Sequence, residues 1–136
     1  MPDRATGNAL RLAAQPGSRA IDARTGAVAL DNVRLASGPW GTFKGLMFDA
    51  ALPAGDGLLF RPSRGIHTHF MRFPIDLIFL DETGAVVGIR EAMQPWRFDF
   101  TFAAAVIEAN AGTARTRGIA VGDRLRFDPP LDSRPG

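Results

Sequence analysis

The chain has 136 residues, 46% of them apolar and 22% charged, with a formal net charge of +2 and neither cysteine nor tyrosine. That length supports one domain around a single core, and the missing cysteine removes disulfides, thiolate nucleophiles and zinc–cysteine sites together. No apolar run nears the ~20 residues of a membrane span, and Met1-Pro2-Asp3-Arg4 lacks the apolar core of a signal peptide, so the cytoplasm is the expected location.

A sequence pI of about 10.3 overstates how basic the chain is. Fifteen arginines and one lysine, Lys44, face fourteen acidic residues, and no Cys or Tyr titrates near pH 9 to hold the pI down. The arginines are scattered, with modest pairs at Arg115/Arg117 and Arg124/Arg126. Scatter of this kind argues against a nucleic-acid partner, which needs a clustered basic face.

In chain order, residues 1–26 form a loosely ordered segment with short strands at Ala9–Ala13 and Arg19–Ala23. Ala27–Leu35 alternates polar and apolar residues and reads as a strand. Trp40, Phe43, Leu46 and Met47 share one helical face, predicting a helix of two turns at most because Gly41 and Gly45 weaken it. Leu52–Gly57 is a loop, and Leu58-Leu59-Phe60 is a short buried strand stopped by Pro62. A strand is expected over His67–Met71, a bend at Pro74, and a strand over Ile75–Leu80. Asp81-Glu82-Thr83-Gly84 is a tight turn from which Ala85–Arg90 returns antiparallel. Pro95-Trp96-Arg97 interrupts the chain, and Ala104–Asn110 is another strand. Gly112–Arg117 reads as a short helix with Thr113 as N-cap and Gly118 at C′. A turn at Val121-Gly122-Asp123 leads to a last strand ending at Phe127. The expectation is a mainly β (α+β) fold: one compact antiparallel β-barrel-like domain over residues 27–128, two short helices, and a tail at 129–136.

Both histidines fall in one stretch, Ile66 to Asp81, beside the longest apolar run. His67 and His69 are two apart in a strand, so they share a face about 7 Å apart, with Asp76, Asp99 and Glu108 as carboxylate partners for a metal. Two imidazoles without a third ligand at diagnostic spacing do not define a site, and neither metal nor cofactor is expected. Asp76 brings a charge into a buried strand. Either it accepts backbone N–H bonds or pairs with an arginine such as Arg72, or it orients His67 as a general base. Ser18, Ser37, Ser63 and Ser133 all lack a nucleophile-elbow context, and no phosphate loop or dinucleotide fingerprint is present. Trp40 and Trp96 each follow a proline, placed to plug barrel ends or to stack on a ligand.

Gly45-Leu46-Met47-Phe48, Gly57-Leu58-Leu59-Phe60, Ile66-His67-Thr68, Met71-Arg72-Phe73-Pro74-Ile75-Asp76, Phe79-Leu80-Asp81, Pro95-Trp96, Ala111-Gly112-Thr113-Ala114 and Gly122-Asp123 follow one another in order. The chain thereby resembles the bacterial and archaeal family catalogued as domain of unknown function 192, over about residues 28–128. The resemblance implies a compact β-rich domain with short helices, sometimes exported, and no established activity. It places His67, Thr68, Met71, Pro74 and Asp76 on signature positions, while His69 departs from the pattern.

The reading that results is a non-catalytic binding domain. Its groove is lined by His67, Thr68, Arg72, Asp76 and Trp96 and takes a polar small molecule or an extended peptide. A hydrolase-like enzyme with His67 as base and Asp76 orienting it is the alternative, and an accessory module pairing through a strand edge is a third.

Overall fold

The structure is a computed structural model that describes residues 17–35, 52–61, 63–67, 74–93 and 98–131, with backbone only at 63–67 and 98–102. The described strands are β1 Ser18–Asp22, β2 Val28–Leu35, β3 Asp56–Phe60, β4 Ser63–His67, β5 Ile75–Leu80, β6 Val86–Met93, β7 Phe98–Ala103, β8 Ala105–Asn110 and β9 Leu125–Asp128. One short helix, α1 Thr113–Thr116, lies between β8 and β9. Seven strands form a sheet in the order β6-β5-β8-β3-β2-β1-β9, and β4 pairs with β7 in a separate ladder. Every pairing is antiparallel except that of β2 with β3, which is parallel.

β5 explains why the apolar run Leu77–Leu80 shows no alternation: it is flanked by β6 and β8 and buried on both faces. Ile78 and Leu80 face inward with Leu30, Val33, Leu59, Ile107 and Leu125. Ile75, Leu77 and Phe79 face the other way with Val106, covered in part by Phe60, Met93 and Ala103. Ala103 ends β7, so the small ladder meets the sheet on this outer face. Each such side chain stabilises the fold by about 1.5–3 kcal/mol.

The sheet curls because its two ends are tied. Asp81 Oδ1 accepts bonds from the backbone of Thr83 (2.8 Å) and Ala85 (3.0 Å) and from the Thr83 hydroxyl (2.6 Å), which fixes the β5–β6 turn. The turn then docks on the start of β9: Leu125 N–H donates to Gly84 O at 2.9 Å, Val86 N–H to Asp123 O at 2.7 Å, and Gly122 N–H to Val86 O at 2.9 Å. Gly84 adopts φ 86°, and a Cβ there would collide with the Leu125 carbonyl oxygen. Only glycine fits on both counts. A bridge between Ala85 and Arg124 completes the seam, leaving a half-barrel.

The expected mainly β, barrel-like fold is the observed one, with strands close to expectation at β2, β5, β6, β8 and β9. The strand expected at Arg19–Ala23 is Ser18–Asp22, held between β2 and β9, so the sheet begins ahead of residue 27. β7 was not expected as a strand; Phe98-Asp99-Phe100-Thr101-Phe102 has the required alternation, but Pro95 in front of it reads as an interruption. The strand placed at His67–Met71 coincides with β4 only at His67, the rest lying outside the described residues, as does the helix expected near 40–48.

Helix α1 corrects one detail. Its N-cap is Gly112, at φ 90° and with no side-chain cap, and not Thr113. Gly118 does take the C′ position, at φ 69°. Gly118 N–H donates to Arg115 O at 3.2 Å and Ile119 N–H to Ala114 O at 2.8 Å, the pair of bonds that closes a Schellman motif.

Candidate functional site

Asp76 occupies the end of the half-barrel nearest α1. Its side chain is fully buried, and its carboxylate accepts three main-chain N–H bonds. Oδ1 accepts from Ala92 at 2.8 Å and Gly112 at 3.2 Å, and Oδ2 from Ala114 at 2.9 Å. The register of β5 with β6 slips between Ile75/Met93 and Leu77/Arg90, giving β6 one extra residue opposite Asp76. Ala92, at φ 50°, belongs to that bulge, so the carboxylate holds a backbone conformation that alanine rarely adopts. At the helix it supplies the acceptor that the Gly112 N-cap lacks. One side chain thus joins β5, β6 and α1. Asn110 plays a similar part for the neighbouring loop, its Oδ1 accepting Leu52 N–H at 3.1 Å and its Nδ2 donating to Leu52 O at 2.6 Å.

The opposite end of the half-barrel is open. A cleft of about 210 Å³ lies there between the β5–β6 turn, the ends of β3 and β8, and β9. Leu59, Leu80, Ala105 and Leu125 give it an apolar floor continuous with the core, and Phe127 and Leu131 a wall. Its rim carries Arg61, Asp81, Glu82 and Thr83. Arg61 Nη2 donates to Leu131 O at 3.1 Å, which fixes the wall. The hydrogen bond from Thr83 holds the Asp81 carboxyl below its ordinary range, so the rim keeps its negative charge at neutral pH.

The outer face of the sheet carries a third polar group. Arg34 on β2 and Asp56 on β3 form a buried ion pair at 3.0 Å, their side chains 5% and 8% exposed. Registers place Arg34 beside Leu58, Leu58 beside Glu108, and Glu108 beside Leu77 in one row across β2, β3, β8 and β5. Glu108 accepts no hydrogen bond among the described residues, and burial alone pushes its carboxyl up to about 7. Asp76 pairs with Ala109, so it and Glu108 point to opposite faces and cannot share an ion.

Of the ligand-facing set His67, Thr68, Arg72, Asp76 and Trp96, Asp76 is the one whose side chain is described. His67 closes β4, in the separate ladder opposite Phe98, and β5 with Asp76 belongs to the main sheet. The His67 side chain, Thr68, Arg72 and Trp96 lie outside the described residues. Sequence reasoning passed over Arg34, Asp56 and the rim of the cleft. Glu108 drew notice only as a metal partner, although Ala105-Val106-Ile107-Glu108-Ala109 shows the same signal as Asp76, one charge within an apolar strand.

Among the described residues these features define a small β half-barrel with one short helix, held by a carboxylate at one end and carrying a cleft at the other. The chain belongs to the DUF192 family, described as an uncharacterised ACR, whose model matches residues 20–127. Among solved structures it is similar to a putative transcription regulator from Sinorhizobium meliloti, with 29% identity over 82% of this chain and 92% of that one, at a TM-score of 0.66. It is also similar to a protein of unknown function from Novosphingobium aromaticivorans, with 25% identity over 80% and 83% of the two chains and the same TM-score. A search of curated proteins gave no match. Among the described residues no helix is long and apolar enough to cross a membrane.

Proposed function

We propose that the domain is a non-catalytic binding module that takes a polar small molecule or an extended peptide segment at the open end of the half-barrel. The observation that carries this reading is the cleft itself: an apolar floor made by core residues under a rim bearing Arg61, Asp81, Glu82 and Thr83. Such a combination lets an apolar part of a ligand displace water while the rim fixes its orientation. His67, Thr68, Arg72 and Trp96 enter the proposal on sequence grounds as further ligand-facing residues. Asp76 enters it as a support, since its oxygens hold three main-chain N–H groups away from solvent. The same engagement weighs against the hydrolase alternative, which needs that carboxylate to orient His67.

A fragment and dipeptide screen by amide NMR tests the reading. Ligands are expected to shift the signals of Leu59, Arg61, Asp81 to Gly84 and Ala105, and Arg61→Ala is expected to weaken binding with little change in the melting temperature of the free protein. If no compound class perturbs those signals, or if Arg61→Ala binds as wild type does, the cleft is not the site. The similar S. meliloti protein, a putative transcription regulator, raises DNA as a ligand. For this chain sixteen basic residues against fourteen acidic ones, scattered along the sequence, argue otherwise. A duplex gel shift at low salt that showed binding would reverse that argument.

A further inference from the structure

The β5–β6 turn, which forms one side of the open-end cleft, spends its donors on itself. Thr83 N–H and Ala85 N–H both go to Asp81 Oδ1, at 2.8 and 3.0 Å, and Gly84 N–H goes to Asp81 O at 3.1 Å. The Thr83 hydroxyl also gives its proton to Asp81 Oδ1, at 2.6 Å, so its oxygen meets a ligand as an acceptor. This side of the cleft therefore offers Asp81 Oδ2, which accepts no hydrogen bond among the described residues, the Thr83 oxygen and the Glu82 carboxylate.

Charge points the same way. Asp81 and Glu82 stand against Arg61 among the lining residues, and Arg61 is engaged with the Leu131 carbonyl. Arg124 lies near enough to Asp81 to favour its ionised form but does not line the cleft. An alkylammonium group, with three donors, one positive charge and no acceptor, is the complement of that set. A hydroxyl brings one donor, and a carboxylate would meet acceptors of its own sign.

The floor sets the size of what the ammonium is attached to. β8 lies between β5 and β3, and Leu80 pairs with Ala105. The short side chain of Ala105, with Leu80 on one side and Leu59 on the other, leaves the hollow that Leu125 and Phe127 complete. An apolar cavity of about 150 Å³ takes one benzene ring. A cleft of about 210 Å³ accordingly takes one compact apolar group with a short polar extension.

We propose that the open-end cleft binds a small primary amine, its branched aliphatic or single-ring body over Ala105 and its ammonium on Asp81 Oδ2, Thr83 and Glu82. This rests on the reading of the cleft as the ligand site and selects the small-molecule form of it.

Amide NMR titrations at pH 7 with three ligands of one skeleton test it: 3-methylbutylamine, 3-methylbutanol and sodium 3-methylbutanoate, with methylamine as the amine that lacks a body. The branched amine is expected to shift Glu82, Thr83, Gly84 and Ala105 and to bind about fivefold tighter than the alcohol, with the acid and methylamine weaker than both. Asp81→Asn keeps an acceptor for the turn and replaces Oδ2 by a donor, so it is expected to remove the preference for amine over alcohol. An alcohol that binds as well as the amine, or a preference that survives Asp81→Asn, overturns the amine site and leaves the cleft reading standing. Silence of those signals towards all four compounds overturns both. Should Asp81→Asn not fold, the carboxyl carbon resonance of Asp81 in the wild-type protein decides: it is expected to move with the branched amine and not with the alcohol, and an unmoved signal refutes the site.

Discussion

Replacing Glu108 with glutamine should make the protein more stable above neutral pH and change the shape of its pH profile. Glu108 stands in the middle of β8, 4% exposed, with β3 on one side and β5 on the other. Its carboxyl titrates at about 7 in the folded chain, against 4.5 for the ordinary group, because burial penalises the ionised form. Between those two values the folded state binds more protons than the unfolded state, so stability falls as pH rises through the window and levels off above it. At roughly 1.4 kcal/mol for each tenfold change in proton affinity, the ionised carboxylate costs the fold about 3 kcal/mol at pH 8. Glutamine fills nearly the same volume and cannot ionise. Urea unfolding of both proteins at pH 5 and pH 8 should show the variant gaining about 2–3 kcal/mol on the wild type between the two conditions, or roughly 10 °C in melting temperature. Comparing the two pH values cancels the constant cost of burying an amide. Parallel profiles for the two proteins would refute the reasoning, showing that Glu108 reaches a donor or water and ionises normally. Asp31 acts at the acid end with the opposite sign. Its hydrogen bond from Arg117 lowers its carboxyl below the ordinary 3.8, so that contribution is present above this value and is lost as pH falls through the lowered one. On these two groups the wild-type protein is therefore expected to be most stable at about pH 4, between the 3.8 of the one and the 4.5 of the other.

Three substitutions test the scaffold. Asp76→Asn puts an NH₂ group among three main-chain donors and should cost about 3 kcal/mol or more, measured by urea melts. Amide exchange at Ala92 and Ala114 should quicken in that variant; unchanged exchange at both would show that the carboxylate is not what holds them. Gly84→Ala requires both φ 86° and a clash with the Leu125 carbonyl, and should cost at least about 2 kcal/mol with loss of protection at Leu125 N–H. Asn110→Ala removes both bonds to Leu52 and should cost about 1–2 kcal/mol, with faster proteolysis confined to the loop before β3.

How much of this was legible in the sequence depended on whether the signal was local. β5 and the turn after it declared themselves, since a run of large apolar residues closed by Asp-Glu-Thr-Gly has few other readings. The half-barrel followed from many short strands with turn residues between them. The parallel pairing of β2 with β3 did not, because parallel neighbours are joined through distant chain and leave no hairpin signature. At the sites, a lone charge in an apolar strand marked Asp76 for attention, but its donors come from residues 92, 112 and 114, which no spacing rule connects to residue 76. Arg34 looked like an ordinary outward residue of an alternating strand; its burial depends on what covers the outer face. The cleft is made from four separate segments of chain and has no motif at all.

The partners of Asp76 also set an order on the life of the nascent chain. They follow it by 16, 36 and 38 residues. A polypeptide still on the ribosome that has released β5 but not the turn after β8 would have to bury a bare carboxylate to close its core. Stalled chains ending before Ala114 should thus remain open to chaperones and proteases, and full protection should arrive only when β9, which closes the seam, has also cleared the exit tunnel.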